Sequence, residues 1–414
     1  MIYYRLGEKI LFSKVKYDDL ELIGEDIAKD NEGKLYFLNK IDPYNSRRSF
    51  CVSDPSLLYL EEEGINLLQK SDMVKETVPR WIVDKIEARE VTSINTEYVN
   101  WKDLLNHSPP KRWRINVFGL GDVGGSLVTG LRLMGGDCIS EIGVYDRNEN
   151  VKTRWILEAN QILSTWDDSI YPKVKGINQE ELFDCDMFVF CASIGVPPVG
   201  ESVGDVRMAQ FQGNSKLLRT YGRMAREEGF KGIFAVVSDP VDLLCKSLLI
   251  DSNRNKIGEL DWRGLAPEQI RGYGLGVMHA RAAYYAGLSS ETSHYLREGR
   301  AYGPHGEGLI IADSIENYRE DISHFLTKKA KEANLQVRSL GFKPYVAPAL
   351  SSGTLSLIGT VKGKWHYSAT YMGGVFMGSK NRLTSSGVEI ERLVLPEPLF
   401  ASLQETYRNL RGII

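Results

Sequence analysis

The chain has 414 residues, of which 43% are hydrophobic and 25% are charged. This length exceeds one ordinary hydrophobic core, so the composition predicts a globular protein of two or three domains. The 51 Lys and Arg residues nearly balance the 54 Asp and Glu residues, for a net charge of −3. That balance gives no electrostatic reason to expect nucleic acid or an anionic membrane as a partner.

Targeting signals and cysteine usage indicate the compartment. The first residues lack the apolar core of a signal peptide, and no apolar run is long enough to span a bilayer. We therefore expect a cytoplasmic protein. The five cysteines are odd in number and show no C-x-x-C spacing, which favours buried reduced thiols over a disulfide framework or a zinc site.

The first part of the chain, residues 1–110, is predicted to be a small N-terminal extension domain. An alternating stretch at residues 34–38 predicts a strand, and residues 61–70 have a helical pattern. The boundary is predicted at residues 106–112, which are polar and contain two prolines. This part carries no motif that assigns a function.

Strands and helices alternate in residues 111–250. Strands are predicted at residues 114–118, 142–145, 187–192 and 232–237, with a helix at residues 123–134. Such alternation predicts a parallel sheet with helices on both faces, an α/β doubly wound fold of the Rossmann type.

Residues 251–414 have a different pattern and are predicted to form an α+β substrate domain. Helices are predicted at residues 277–285, 312–333 and 345–358, followed by strands at 365–371, 375–384 and 388–393 and a C-terminal helix. We see no internal repeat.

Residues 119–124, GLGDVG, follow an apolar strand and precede a run that favours a helix. In a dinucleotide-binding turn, Gly119 permits the tight turn, Gly121 lets the backbone approach the pyrophosphate, and Gly124 lets helix and strand pack closely. Asp122 and Val123 begin the helix whose N-terminus holds the phosphates. A purely structural turn is the alternative.

Asp146 ends the next predicted strand, where a carboxylate can accept hydrogen bonds from both ribose hydroxyls. It would repel the 2′-phosphate of NADP, so the sequence favours NAD as the cofactor. Arg147 is the opposing signal, because an arginine at this place can bind that phosphate.

From residue 113 onward the chain resembles the lactate/malate dehydrogenase family. Residues 186–193, DMFVFCAS, resemble that family's fourth strand, and residues 195–197, GVP, the opening of its mobile loop. Residues 236–242, VVSDPVD, resemble its Asn-Pro-Val-Asp signature, and residues 272–281 the segment with its substrate-binding arginine. The NAD-dependent family 4 glycosidases are the runner-up, but the Cys and His that would hold their metal are not evident.

The resemblance implies a site for a 2-hydroxy or 2-oxo acid. His305, in the segment AYGPHGE, matches the acid/base that exchanges a proton with the substrate oxygen while hydride moves. Arg281 matches the arginine that binds the substrate carboxylate, and Arg207 matches the loop arginine that binds substrate and polarises its carbonyl. Ala192 is implied as a further cofactor contact, and a homodimer or tetramer is implied as the assembly.

Each of these residues also has a non-catalytic interpretation. A lone histidine is often structural, Arg281 could form a surface ion pair, and Arg207 could be an exposed arginine at a helix start. The other five histidines, His107, His279, His294, His324 and His366, lack a comparable context, and we interpret them as surface or packed residues.

Three departures from the family pattern concern the chemistry. Met278 stands where the family has the Asp that orients its catalytic His, and Asp239 stands where the family has Asn. Asp239 is therefore a candidate replacement partner for His305. Pro198 and Val199 follow the loop opening in place of the Gln or Arg that would select lactate or malate, so neither substrate is expected.

The sequence thus predicts an NAD-dependent oxidoreductase that acts on a 2-hydroxy or 2-oxo acid. The competing class is a sensor or scaffold that binds NAD and a carboxylate but has lost efficient hydride transfer. A third possibility is that residues 1–110 recognise a protein or peptide that the dehydrogenase-like part modifies.

Overall fold

The computed structural model describes residues 1–70, 78–166, 170–194 and 206–414, apart from the side chains of residues 206, 207 and 209. The predictions made for Pro198, Val199 and the loop opening at residues 195–197 fall outside this part of the chain. Within it, no helix is long and apolar enough to cross a membrane.

The N-terminal part forms a six-stranded mixed sheet in the order β3-β1-β2-β4-β6-β5. Its strands are β1 (Ile2–Leu6), β2 (Lys9–Ser13), β3 (Glu21–Ile23), β4 (Leu35–Asn39), β5 (Ser49–Cys51) and β6 (Val91–Asn95). The strands β2, β4 and β6 run parallel, and the other pairs are antiparallel. Two helices accompany this sheet, α1 (Glu25–Lys29) and α2 (Arg80–Glu87).

The central part is the predicted doubly wound sheet. Its strands are β7 (Trp113–Phe118), β8 (Ile139–Tyr145), β9 (Lys173–Gly176), β10 (Met187–Phe190), β11 (Ile233–Val236) and β12 (Ile270–Gly272). They are all parallel, in the order β9-β8-β7-β10-β11-β12. The helices here are α3 (Asp122–Met134), α4 (Glu149–Asn160), α5 (Val206–Glu227) and α6 (Val241–Ser252). The four predicted strands and the predicted helix are confirmed.

The strand order reverses direction at β7, which has β8 on one side and β10 on the other. All four residues of β10 are fully buried, as expected of a central strand covered on both faces. In open parallel sheets, ligands bind at the carboxyl ends of the strands beside such a reversal. The fold therefore places a binding crevice beyond Phe118 and Phe190.

The C-terminal part adds a hairpin and three strands. The hairpin consists of β13 (Arg300–Tyr302) and β14 (Ile310–Ala312), while β15 (His366–Tyr371), β16 (Phe376–Thr384) and β17 (Gly387–Ile390) continue the central sheet to nine strands. The helices are α7 (Leu275–Ala286), α8 (Tyr295–Glu298), α9 (Glu320–Ser339), α10 (Leu355–Val361) and α11 (Glu397–Arg411), with a π-helical stretch at Pro348–Thr354. The antiparallel pairing of Gly272 with Ala369 joins the two parts of the sheet.

Two predicted helices were wrong in extent. Residues 312–333 do not form one helix, because Ile310–Ala312 pair with β13 and α9 begins only at Glu320. Between them the buried carboxylate of Asp313 accepts hydrogen bonds from Ser323 and from the Arg319 amide, which fixes a turn. Residues 61–70 contain only a short 3₁₀ turn, Ile65–Leu68, since the backbone beyond it pairs with Leu393.

The N-terminal sheet shares a hydrophobic core with the last helix. Phe12 and Phe37 belong to the same buried cluster as Leu399 and Leu403 of α11. An ion pair of 2.9 Å between the largely buried side chains of Arg48 and Glu268 also links the N-terminal sheet to the segment before β12. The predicted boundary near residue 110 stays a prediction, and the residues before it pack against the rest of the chain.

Candidate active site

The turn between β7 and α3 has the geometry that its glycines predict. Gly119 has φ +90°, and a Cβ there would lie 2.6 Å from the amide nitrogen of Ala192. A Cβ on Gly124 would lie 1.9 Å from the carbonyl oxygen of Gly119, whereas a Cβ on Gly121 would meet no protein atom within 4 Å. The first and third glycines are therefore needed for close packing, and the second leaves an open approach to the backbone.

Asp146 lies beside this turn at the end of β8. Its carboxylate accepts hydrogen bonds of 2.9 Å from the backbone amides of Leu120 and Asn148, one on each oxygen. Each carboxylate oxygen can accept a second hydrogen bond. The side chain is thus fixed in place and keeps capacity for two hydroxyl donors.

Arg147, the residue that could favour NADP, is exposed and lies near the hydroxyl of Tyr221. Burial raises the pKa of Tyr221, and the nearby Arg147 opposes that rise.

Asn214 holds together the segments that follow β10 and β11. Its side chain is 1% exposed; Oδ1 accepts from the Ile194 amide at 2.8 Å, and Nδ2 donates to the Asp239 carbonyl at 2.7 Å. Ser238 adds a second link by donating to the Ala192 carbonyl at 2.9 Å. Asn214 is thus a positioning residue, which the sequence analysis did not single out.

His305 lies in the turn between β13 and β14 and faces Asp239. Its Nδ1 is 3.7 Å from Oδ1 of Asp239, and its backbone amide donates to the carboxylate of Asp242 at 3.3 Å. The side chain of His305 is 20% exposed and that of Asp239 is 57% exposed. Two predicted site residues, far apart in sequence, therefore lie side by side.

Arg281 on α7 lies close enough to Asp239 for the charge of that carboxylate to act on it. Burial lowers the pKa of its guanidinium, and the negative charge of Asp239 opposes that shift. Its Nη1 contacts Met278 Sδ and the Ala330 carbonyl oxygen, each at 3.5 Å. Among the described residues, no carboxylate forms an ion pair with Arg281, so a surface ion pair does not account for this arginine.

Met278 is 1% exposed and packs in the apolar cluster formed around α7. Its thioether contacts Arg281 and provides no charge to balance an imidazolium. The structure brings the carboxylate of Asp239 within 3.7 Å of the His305 ring, while the carboxylate of Asp242 accepts from the His305 backbone amide.

The other five histidines have structural surroundings or exposed positions, in agreement with the sequence. Burial lowers the pKa of His279 to about 4, and the ring hydrogen-bonds to Tyr295 at 2.8 Å. Burial lowers the pKa of His366 to about 3. His294 pairs with the buried Asp313 at 2.9 Å, and His324 is exposed. Burial also lowers the pKa of His107.

Arg207 lies in the first turn of α5, and its side chain falls outside the described residues. Its role as a loop arginine stays a prediction. Within the described part of the chain, no group of three or more His, Cys, Asp or Glu residues could hold a metal ion.

Known proteins resemble this chain in sequence and in fold. No family model matches the chain. The L-lactate dehydrogenase of Mycoplasma pneumoniae is 25% identical over 241 residues, which are 54% of this chain and 70% of that relative. The enzyme of Mycoplasma genitalium is 25% identical over 51% of this chain, and that of Corynebacterium glutamicum is 26% identical over 47%. The chain spans 62% and 55% of the length of these two relatives.

Solved structures of lactate and malate dehydrogenases resemble this chain in fold. A minor L-lactate dehydrogenase from Enterococcus mundtii superposes with a TM-score of 0.58 at 18% identity, over 73% of this chain and 98% of its own. The chain has the fold of the lactate/malate dehydrogenases and is similar in sequence to L-lactate dehydrogenases. A malate dehydrogenase from Archaeoglobus fulgidus in complex with NADH superposes with a TM-score of 0.57 at 17% identity, over 72% of this chain and 97% of its own.

The coverage of the structural matches shows how much of this chain the common fold accounts for. The structural matches cover nearly all of each neighbour but less than three quarters of this chain. That share is about the fraction of the chain that residues 113–414 make up. The fold is the lactate/malate dehydrogenase fold, with additional residues in this relative.

Proposed function

We propose that this protein is an NAD-dependent oxidoreductase that interconverts a 2-hydroxy acid and its 2-oxo acid. The observation that supports this most strongly is the placement of His305 within 3.7 Å of Asp239, whose charge also acts on Arg281. An acid/base, a charge partner and a carboxylate anchor are the side chains that such a reaction requires. Asp239 follows β11, at the carboxyl end of the sheet that carries the glycine turn.

The residues around that turn fit NAD. The open side of Gly121, at the start of α3, would receive the pyrophosphate, since a helix N-terminus favours anions. The unused acceptor capacity of Asp146 would receive the ribose hydroxyls. Ala192, which packs on Gly119, would close the other side of the turn. When bound, NAD would supply or accept the hydride at C2 of the substrate.

Two residues of this chain would bind the substrate carboxylate and transfer the proton of the substrate hydroxyl. Arg281 would bind the substrate carboxylate through two parallel hydrogen bonds, a geometry that lysine cannot reproduce. His305 would take the hydroxyl proton during oxidation and return it during reduction. Nδ1 faces Asp239, and we assign the proton exchange to Nε2.

Asp239 would act on His305 rather than on the substrate. The separation of 3.7 Å exceeds a hydrogen bond, so the contact is electrostatic in this state. Catalytic hydrogen bonds are often longer before the substrate binds and shorten in the complex. A carboxylate here would favour the charged imidazole that forms during oxidation.

A catalytically weakened NAD-binding sensor or scaffold is the second candidate. The observation that favours it is the buried, uncharged Met278 at the position where the family has its orienting Asp. A site without that carboxylate would still bind cofactor and anion but would transfer the proton slowly.

A screen of 2-oxo acids with NADH tests the proposal. Substrates with small, branched, aromatic and charged side chains are offered in turn, and the loss of cofactor absorbance is followed. Turnover that His305→Gln abolishes, with NADH affinity unchanged, supports the enzyme. Tight NADH binding with no turnover on any 2-oxo acid supports the sensor or scaffold instead. Within the same proposal, the protein acts in the cytoplasm as a homo-oligomer on small-molecule substrates.

A further inference from the structure

The helix that carries Arg281 begins without a capping side chain of its own. Its N-cap residue is Gly274, which has no side chain to accept a hydrogen bond. The first backbone amides of an α-helix have no partner inside the helix, and an N-cap serine, threonine, aspartate or asparagine usually accepts from one of them. The first turn of α7 therefore depends on an acceptor from elsewhere in the chain.

That acceptor is Ser352, which lies 78 residues after Gly274. Its hydroxyl oxygen accepts from the Val277 amide at 2.8 Å, and the same hydroxyl donates to the Gly274 carbonyl at 2.8 Å. Val277 is the third residue of α7, and its amide is one that an N-cap side chain would normally bind. Ser352 is 2% exposed, so water does not compete for these bonds. Ser352 therefore caps α7 from a distant part of the chain.

The packing of His305 explains why the N-cap of α7 is a glycine. A Cβ on Gly274 would lie 3.0 Å from Cβ of His305 and 3.1 Å from its Nδ1. Both distances are shorter than an ordinary van der Waals contact, so a capping side chain at residue 274 would press on the imidazole. The chain thus keeps this space for His305 and takes the cap from Ser352.

The segment around Ser352 is itself held in place. It is the π-helical stretch Pro348–Thr354, and such stretches are frequent at functional sites. A Cβ on Gly276 would lie 2.6 Å from a carbonyl oxygen of this stretch, so the start of α7 packs directly against it. Thr354 donates to the Leu127 carbonyl of α3 at 3.2 Å. The stretch therefore connects α7 to the helix that follows the glycine turn.

We propose that Ser352 is a positioning residue of the active site, an inference that rests on the function proposed above. Its two hydrogen bonds fix Gly274, against which the acid/base His305 packs, and the first turn of the helix that carries Arg281. One buried hydroxyl therefore sets the placement of the proton-exchanging group relative to the group that binds the carboxylate.

Steady-state kinetics with NADH and a 2-oxo acid test this role in Ser352→Ala. We expect kcat to fall by roughly tenfold to a hundredfold and KM for the 2-oxo acid to rise about fivefold or more, because small displacements of reacting groups are costly. KM for NADH should stay the same. A purely structural role would lower the amount of active protein and leave both KM values unchanged.

Ser356→Ala is the matched control. The hydroxyl of Ser356 is also buried and also donates at 2.8 Å, but its acceptor is the Ser351 carbonyl rather than α7. This variant should leave kcat and both KM values unchanged.

Hydrogen exchange followed by mass spectrometry tests the cap without a substrate. A peptide covering residues 275–286 should exchange faster in Ser352→Ala than in the native protein or Ser356→Ala, because the Val277 amide loses its acceptor and the first turn opens. Should Ser352→Ala fail to fold, Ser352→Cys gives the same readouts, since a thiol is a weaker donor and acceptor.

Three outcomes would overturn the positioning role. Unchanged kcat and KM in Ser352→Ala, on a substrate that the native protein reduces, would refute it and leave the proposed function intact. Unchanged exchange at residues 275–286 would show that Ser352 does not hold α7. Lack of native turnover on every 2-oxo acid would refute the proposed function and the positioning role together, even with faster exchange in Ser352→Ala.

Discussion

The imidazole of His305 and the carboxylate of Asp239 face each other, with Nδ1 and Oδ1 3.7 Å apart. The two residues come from different turns, one after β11 and one after β13. A Cβ on Gly274 would lie 3.0 Å from Cβ of His305, so the backbone behind the ring is closely packed. The pair is therefore held by the fold and does not depend on one flexible loop.

Replacing Asp239 with asparagine should lower turnover on any substrate found by roughly 10²- to 10⁴-fold, because the imidazolium would lose its charge partner. NADH affinity should stay the same, since Asp239 lies outside the glycine turn. Steady-state kinetics and a separate NADH titration measure the two effects. Unchanged turnover in Asp239→Asn would show that this carboxylate is not the partner of His305.

Met278→Asp is the complementary variant. With Asp239 already beside the ring, a second carboxylate would raise turnover little, and its burial would lower the melting temperature. Met278→Leu, which keeps an apolar side chain of similar volume, is the matched control. A large gain in turnover from Met278→Asp would mean that His305 lacks a working partner in the native chain.

Asp146 should set the preference for NAD over NADP. Calorimetry should show much tighter binding of NADH than NADPH, because the 2′-phosphate would meet this carboxylate. Asp146→Ala should narrow the difference between the two affinities, because it weakens NADH binding and removes the repulsion of the 2′-phosphate. Asn148→Ala, at the neighbouring turn, serves as a control. Equal affinity for both cofactors in the native protein would contradict this interpretation.

The two arginines of the proposed site should differ in their effects. Arg281→Lys should mainly weaken the binding of oxamate in the presence of NADH, because a point charge loses the two-pronged contact. Arg207→Gln should mainly lower turnover, since its contact would form in the closed state. Oxamate affinity measured by fluorescence titration, together with kcat and KM, separates the two. Undiminished oxamate binding in Arg281→Lys would remove Arg281 from the anchor role.

Two largely buried histidines should make the free energy of unfolding depend on pH. Burial lowers the pKa of His279 to about 4 and that of His366 to about 3. An unfolded histidine titrates near 6.5, so below that pH the unfolded state binds more protons than the folded state. The free energy of unfolding should therefore fall as the pH is lowered from about 6.5 towards 4, by up to roughly 1.4 kcal/mol per pH unit for each histidine.

Urea denaturation at a series of pH values measures this slope. His279→Gln removes one titrating group and should make the curve flatter between about pH 6.5 and 4. His324→Gln, which replaces an exposed histidine, should leave the curve unchanged. An identical slope in the native protein and His279→Gln would contradict the assignment.

Leu403 of α11 is fully buried in the core that the last helix shares with the N-terminal sheet. Leu403→Ala should lower the free energy of unfolding by about 2–5 kcal/mol, because it leaves a cavity. Urea unfolding, followed by both fluorescence and circular dichroism, should show that the N-terminal sheet and the rest of the chain unfold in a single transition. Ser402→Ala, on the exposed side of α11, is the control. A separate N-terminal transition that Leu403→Ala does not shift would show that the two parts are energetically independent.

The sequence predicted the glycine turn and the central strands because their signals are local. Gly119 needs a positive φ, and the four residues of β10 form an unbroken apolar run. Both facts follow from neighbouring residues, so no knowledge of distant contacts was needed. The predicted α/β fold is confirmed for the same reason.

Other features depend on residues far apart in sequence. Residues 310–312 look like the start of a helix until β13 is known to pair with them. Asn214 is a polar residue in a helix, and only its contacts with Ile194 and Asp239 give it a role. Asp239 was a candidate partner of His305 because the family pattern lacked one carboxylate and gained another; the two side chains lie 3.7 Å apart, and the catalytic pairing stays a prediction.

The core shared by the N-terminal sheet and α11 has a consequence during protein synthesis. Tyr3 and Tyr407 belong to one buried cluster although almost the whole chain separates them. The first six strands leave the ribosome long before α11, on the order of half a minute earlier at ordinary elongation rates. Through that interval their apolar face has no α11 to cover it, so the nascent chain offers chaperones a binding surface that the finished protein buries.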